Sequence, residues 1–234
     1  MRSTRQQARF AGLLYLLMCV TGLPGLLLIP NALIVNGDAV ATANHLRASS
    51  TLFRLGIASE LFHQVVFAFL GLALYDLFRS VNRSAATQLV LLVALSVPIM
   101  FVNVLNELAA LILVTPPPFL ATFSQPQLDS LASLFLRLHG EGIGVVDVFW
   151  SLWLVPFGVL VMRSRFLPRA LGVLLLAGAA GAMIGAVTSV LPTLSTHAVN
   201  AVGQVLALGE LPIIVWLVFP GAREPRPNRG DVSP

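Results

Sequence analysis

Six long apolar stretches, separated by turns that carry arginine or proline, decide most of what this chain can fold into. About 20 apolar residues in a helix cross a bilayer. Lipid offers no partner to an open strand edge, so each stretch is expected to be a helix that satisfies its own backbone. The stretches read as residues 10–30, 51–78, 85–114, 140–162, 170–191 and 198–219. Short segments of alternating polarity are missing, which argues against a membrane β-barrel. Ala39-Val40-Ala41 resembles a signal-peptide cleavage site. The apolar run before it exceeds the roughly 7–15 residues of a signal peptide, so the first span is expected to be retained. The expected fold class is all-α: a polytopic membrane protein with six transmembrane helices in one bundle over residues 1–222. Residues 223–234, rich in Pro, Gly and Arg, read as a disordered cytoplasmic tail.

The arginines give the orientation. Arg2, Arg5, Arg9, Arg79, Arg83, Arg163, Arg165, Arg169, Arg223, Arg226 and Arg229 fall on one side of such a bundle, eleven in all, against Arg47, Arg54 and Arg137 on the other. Positive residues collect in cytoplasmic loops, so both termini are expected in the cytoplasm of a multi-pass protein of the plasma (inner) membrane. The segments Asn31–Ser50 and Thr115–His139 then lie outside. The second opens with Pro116-Pro117-Pro118, which cannot continue a helix. It then places Leu128, Leu131, Leu134, Phe135 and Leu138 on one helical face, a pattern suited either to the membrane surface or to an outward extension of span four.

Composition agrees. The chain is 57% hydrophobic and 10% charged, against about 25% charged in soluble domains. Its net charge of +4 comes entirely from arginines at the ends of apolar runs, which points to the bilayer as partner rather than to nucleic acid. The lone Cys19 lies inside span one, where a small apolar core residue is the expected role.

Ionisable residues inside membrane spans are costly and mark candidate sites. Measured from the nearest arginine on the Arg-rich side at about 1.5 Å per residue, Glu60, Asn103, Glu107, His139 and Glu141 fall at roughly 28–36 Å. They share one layer at the outer edge of the hydrocarbon. His63 and Asp147 lie just beneath, near about 24 Å. Carboxylates on three spans at one depth point to an outward-facing polar pocket. The competing reading has each residue meeting headgroups and water, or pairing with Arg54 or Arg137. Glu210 is deepest, at about 20 Å. It is expected to face the bundle interior and to be hydrogen-bonded there.

Glu60 and His63 form Glu-x-x-His, which di-iron bundles use twice; here it occurs once, so no metal site is assigned. Gly-x-Ser-x-Gly and a phosphate-binding glycine loop are missing too, which weakens serine-hydrolase and ATPase readings and leaves the cofactor unknown. In span five, Ala177, Gly181, Gly185 and Ser189 recur every fourth residue. Such a face lets another backbone approach, either within the bundle or from a second copy or other membrane protein. Pro98, Pro156 and Pro212 are expected to kink their spans.

Several segments together are characteristic. They are Ala11-Gly12-Leu13-Leu14-Tyr15-Leu16-Leu17, Leu52-Phe53-Arg54-Leu55-Gly56, Val81-Asn82-Arg83, and Arg163-Ser164-Arg165-Phe166-Leu167-Pro168-Arg169-Ala170-Leu171-Gly172-Val173-Leu174. With them, nearly the whole chain resembles the bacterial integral membrane proteins grouped as domain-of-unknown-function family 4386. The resemblance implies fold and location and brings no catalytic residues. The expected function is binding or transport through the outward-facing pocket. An intramembrane enzyme, metal-dependent or not, and an accessory membrane subunit are the alternatives.

Overall fold

The computed structural model describes residues 3–222. The tail 223–234 and Arg2, Arg223, Arg226 and Arg229 lie outside the described residues. Span one begins at α1 (Thr4–Leu23). Ser3 Oγ accepts from the Gln6 amide and Gln6 Oε1 accepts from the Ser3 amide, closing a capping box. Pro24 and Pro30 each remove a backbone donor. From Pro24 to Leu28 the helix is a π turn, before α2 (Ile29–Leu33) completes the span. The expected end at Pro30 is therefore three residues short.

The Asn31–Ser50 segment is not an irregular loop. It holds α3 (Ala39–Ala48), started by Asp38 Oδ1 accepting from the Ala41 amide at 2.8 Å. Spans two and three are α4 (Ser50–Phe78) and α5 (Arg83–Val114); Asn82 Oδ1 caps α5. Span four is α6 (Gln125–Leu152) and α7 (Leu154–Arg163), broken at Trp153 just before Pro156. Span five is α8 (Arg169–Val190). Span six is α9 (His197–Ala207), a 3-10 turn Leu208–Glu210 and α10 (Leu211–Val218), with Pro212 just past the break. Pro98, by contrast, lies within unbroken α5. All six spans are long and apolar enough to cross a membrane, and no strand occurs among the described residues. The protein is an all-α, multi-pass membrane protein.

The helix of span four begins at Gln125. The amphipathic stretch is a continuous extension of α6, because α3 covers it. Leu128, Ala132 and Leu136 are buried in one cluster with Ala43 and Leu46. Arg47 pins the cover: its Nη1 donates to Asp129 Oδ1 at 2.8 Å and its Nη2 to Oδ2 at 3.3 Å. Asp129 holds the Arg47 guanidinium even more firmly in its charged form. Gln125 Nε2 donates to the same carboxylate.

Consecutive spans are neighbours around the bundle, and α10 returns to α1, so the ring closes. At the closure a Cβ on Gly12 would sit 2.7 Å from the Leu217 backbone. Arg9 Nη2 donates to the Phe219 carbonyl at 3.2 Å, placing the start of span one beside the end of span six. We call this the terminal end, and the opposite one the α3 end. A large core cluster around Tyr15, Phe67, Phe78, Trp153, Phe157 and Leu217 fills the terminal half; a second, around Ile29, Leu46, Phe53 and Leu128, fills the α3 end.

The forked Arg47–Asp129 bond is the only ion pair among the described residues that ties α3 to the bundle. Asp129→Asn should cost about 1.5–3 kcal/mol, the range for a hydrogen bond to a charged group. Thermal melts in detergent measure it. A melting temperature equal to that of the wild type would show that apolar contacts alone seat α3.

Candidate functional site

The centre of interest lies between α4, α5 and α6. Glu60 falls along α4 between Ile57, of the α3-end cluster, and Val66, of the terminal cluster. Its neighbour in span one is the π turn: a Cβ on Gly25 would lie 3.0 Å from Glu60 Cβ and 2.6 Å from the Gly56 carbonyl. Only glycine lets span one approach α4 so closely. Single π turns inside α-helices are frequent at functional sites.

Glu60 meets Glu107 of α5 and His139 of α6. His139 Nε2 lies 3.5 Å from Glu60 Oε2 and 3.9 Å from Glu107 Oε1. One ligand atom from each residue lies within 4.8 Å of the others. All three are buried, at 0% exposure for Glu60, 3% for Glu107 and 6% for His139. Asn103 locks the histidine in place. Its Nδ2 donates to the His139 carbonyl at 2.9 Å, and His139 Nδ1 lies 3.3 Å from the Asn103 carbonyl. A carbonyl only accepts, so Nδ1 carries a proton, and Nε2 is the ring nitrogen that faces the carboxylates. Asn106 Nδ2 holds Asn103 Oδ1. Gly142 makes room, since a Cβ there would fall 2.1 Å from Asn103 Oδ1.

The carboxylates are poorly served by hydrogen bonds. Neither oxygen of Glu60, nor Glu107 Oε2, has a partner, and Gln64, one turn beyond Glu60, has both amide atoms buried and unpartnered. Buried polar atoms are nearly always satisfied, so such a concentration asks for an explanation.

Other members of the expected layer go elsewhere. Depth along each helix had grouped them; rotation about the helix separates them. His63 Nδ1 donates to the Met18 carbonyl at 2.8 Å, in a space kept by Gly22, and its ring packs against Phe67 and Trp150. Glu60 and His63 therefore do not act as one Glu-x-x-His pair. Glu141 is exposed and pairs with Arg137 at 3.6 Å. It lines a cleft of about 770 Å³ at the α3 end, with Asp38, Thr42, Ser133, Arg137 and Ser189. Glu60, Glu107 and His139 do not line that cleft. Asp147 faces a smaller cleft between α6, α8 and α9.

A match to the family model described as "Domain of unknown function (DUF4386)" covers residues 10–221. The chain belongs to that family. No curated protein and no solved structure matches the chain.

Glu210 sits in the 3-10 turn that interrupts span six and accepts a hydrogen bond from the Tyr15 hydroxyl of α1. A Cβ on Gly209 would lie 2.3 Å from the Leu174 carbonyl, so this turn is pressed against α8. In span five, Gly181 abuts the α9 backbone at Gly203 and Ala207, Ser189 lies beside Gly144, and Gly185 opens onto the Asp147 cleft. Part of the small-residue face is therefore used within the chain.

Sequence reasoning missed Tyr15, Gln64, Asn106 and the π turn. The signals were present: a hydroxyl inside an apolar run, an amide four residues after Glu60, an amide three after Asn103, and two prolines in one span.

The Tyr15–Glu210 bond yields a test. Glu210→Gln keeps an acceptor and should melt close to the wild type. Glu210→Leu and Tyr15→Phe each strand the partner and should cost about 1–3 kcal/mol. Melting curves in detergent compare the three variants. Wild-type stability of both Glu210→Leu and Tyr15→Phe would mean that the bond holds nothing together.

Proposed function

We propose that this protein is a membrane-embedded metal-binding protein, in which Glu60, Glu107 and His139 hold one divalent transition-metal ion and use it to activate water. The carrying observation is the convergence of three buried ligand atoms within 4.8 Å. Charge supports it. Two carboxylates and a neutral imidazole sum to −2, and an ion of +2 cancels them where unpaired charge is most costly. The histidine supports it as well: an Nδ1–H turned to a carbonyl, with Nε2 turned to the other ligand atoms, is how metal-bound histidines are oriented by their surroundings. A mixed nitrogen and carboxylate set favours Zn²⁺, Mn²⁺ or Fe²⁺ over Ca²⁺ or Mg²⁺.

Three protein ligands leave a coordination position open, which in catalytic sites takes water or substrate and lowers the proton affinity of that water. The buried amide of Gln64 is the nearest uncommitted polar group along α4 to orient such a water. A transport reading calls for a polar path onward to the terminal end. That direction is instead filled by packed rings: Phe67 and Trp153 centroids are 5.1 Å apart, and Trp153 and Phe157 5.5 Å. The geometry therefore favours an intramembrane metalloenzyme over a carrier.

Metal analysis by mass spectrometry on protein purified in detergent tests this reading. About one ion per chain is expected, lost in His139→Ala and Glu107→Gln and retained in Glu141→Gln. Asn103→Ala removes the amide that holds the His139 backbone carbonyl while keeping the Asn103 carbonyl that faces the ring, so it should weaken affinity by only about 10-fold. Wild-type protein that neither retains metal nor binds added Zn²⁺ or Mn²⁺ saturably would overturn the assignment.

We also propose that the terminal end is cytoplasmic, in the plasma (inner) membrane. The arginine asymmetry supports this, and Arg5 and Arg9 share that end with Gly221. In a Cys19→Ala background, a cysteine replacing the exposed Val40 or Ala121 should react with an impermeant thiol reagent in intact cells. One replacing Ser80 should not. The reverse pattern would invert the topology.

A further inference from the structure

The cleft around Asp147 carries a second assignment, independent of the first. It measures about 230 Å³ and lies between α6, α8 and α9. Its polar lining is Asp147 from α6 and Asn200 and Gln204 from α9. The rest is largely small: Gly181, Ala182, Gly185, Gly203 and Ala207. Glycine builds the space, since a Cβ on Gly185 would meet nothing within 4 Å.

Asp147 lies inside span four, and its carboxylate has no ion pair or hydrogen bond among the described residues. An acid within a membrane span ordinarily pairs with a base or a donor, or lines a cavity that serves a ligand. No arginine or histidine is among the described residues that line this cleft; the lining offers oxygen acceptors. Asn200 Nδ2 is committed to Ser195 Oγ at 2.9 Å, which leaves its Oδ1 as the free atom. Gln204 can add its own carbonyl oxygen. One carboxylate with two amide oxygens makes a set of hard acceptors with a single negative charge.

We infer that this cleft binds one monovalent cation, either hydrated Na⁺ or the ammonium group of a primary amine. The charge count selects the valence. A +1 ion leaves the site neutral, whereas a divalent ion would leave a net positive charge among apolar spans. Oxygen-only donors suit a hard ion or an N–H donor and disfavour a soft metal. The volume exceeds that of a bare ion, so Na⁺ enters with water, or an ammonium enters with part of its carbon body.

Thermal melts of the full chain in detergent test this at equal ionic strength in sodium, methylammonium and choline chlorides. Choline is the reference, because its quaternary nitrogen has no N–H and is too bulky to sit among three oxygens. At about hundredfold saturation, sodium or methylammonium should raise the melting temperature by roughly 5 °C or more over choline. A response to sodium alone identifies an ion site, and one to methylammonium an amine site. Asp147→Asn should abolish the response, Gln204→Ala and Asn200→Ala should each reduce it, and Glu141→Gln should keep it. Should Asp147→Asn fail to fold, the two amide variants decide the matter. Equal melting in all three salts, or a response intact in Asp147→Asn or in both amide variants, would overturn the assignment.

Discussion

Neutralising carboxylates inside an apolar bundle is the constraint on which the rest of this structure depends. An uncompensated charge away from water costs far more than any single packing contact returns. Different acids meet the problem differently. Asp129, near the α3 end, takes the forked guanidinium of Arg47. Glu210, deep in span six, takes the hydroxyl of Tyr15. Glu60 and Glu107 have only one imidazole between them, and three of their four oxygens lack a hydrogen-bond partner. The first two arrangements are complete within the chain and serve to tie helices together. The third is incomplete, and incompleteness of that kind separates a site from a structural bond.

The polar interior exists because backbones come close. Between membrane helices the hydrophobic effect gives little drive, so contact depends on packing, and small residues set its distance. Gly22 and Gly25 bring span one onto α4 beside His63 and Glu60, and Gly142 brings α6 onto α5 beside Asn103. The π turn at Pro24–Leu28 belongs to the same arrangement. Larger residues at these glycines would push apart the helices that carry the ligands. Fold and site are therefore not separable here: the same close approaches that pack the bundle fix the ring of His139.

Much of this was legible in the sequence, and the part that was not has a geometric cause. Hydropathy located six spans, and a fixed rise per residue placed Glu60, Asn103, Glu107 and His139 at one depth. These residues do come together. The same reckoning put Glu141, His63 and Asp147 with them, and they turn to Arg137, to the Met18 carbonyl and to a separate cleft. Depth is a one-dimensional quantity. Which way a side chain points depends on the rotation of each helix and on the identity of its neighbour. The start of α6 stayed open for a related reason. An amphipathic run suits a lipid surface and a covering helix equally, and nothing local announces that α3 folds back over Leu128 and Leu136.

α6 is the shared scaffold of the two proposed sites. His139 and Asp147 are eight residues apart, so about 12 Å along the axis and about 80° around it. That rotation aims one residue at α4 and α5 and the other at α8 and α9. The helix is unbroken between them and interrupted only afterwards, at Trp153. Protons alone would satisfy the His139 group awkwardly. A proton on Nε2 still leaves the trio at −1, and a further one would be needed on a carboxylate. A divalent ion reaches neutrality in one step and gives Nε2, Glu60 and Glu107 a common partner. At Asp147 the same reasoning stops at a single charge. The number of carboxylates gathered on each side of α6, two from α4 and α5 and one from α6 itself, thus sets the valence each compartment can hold.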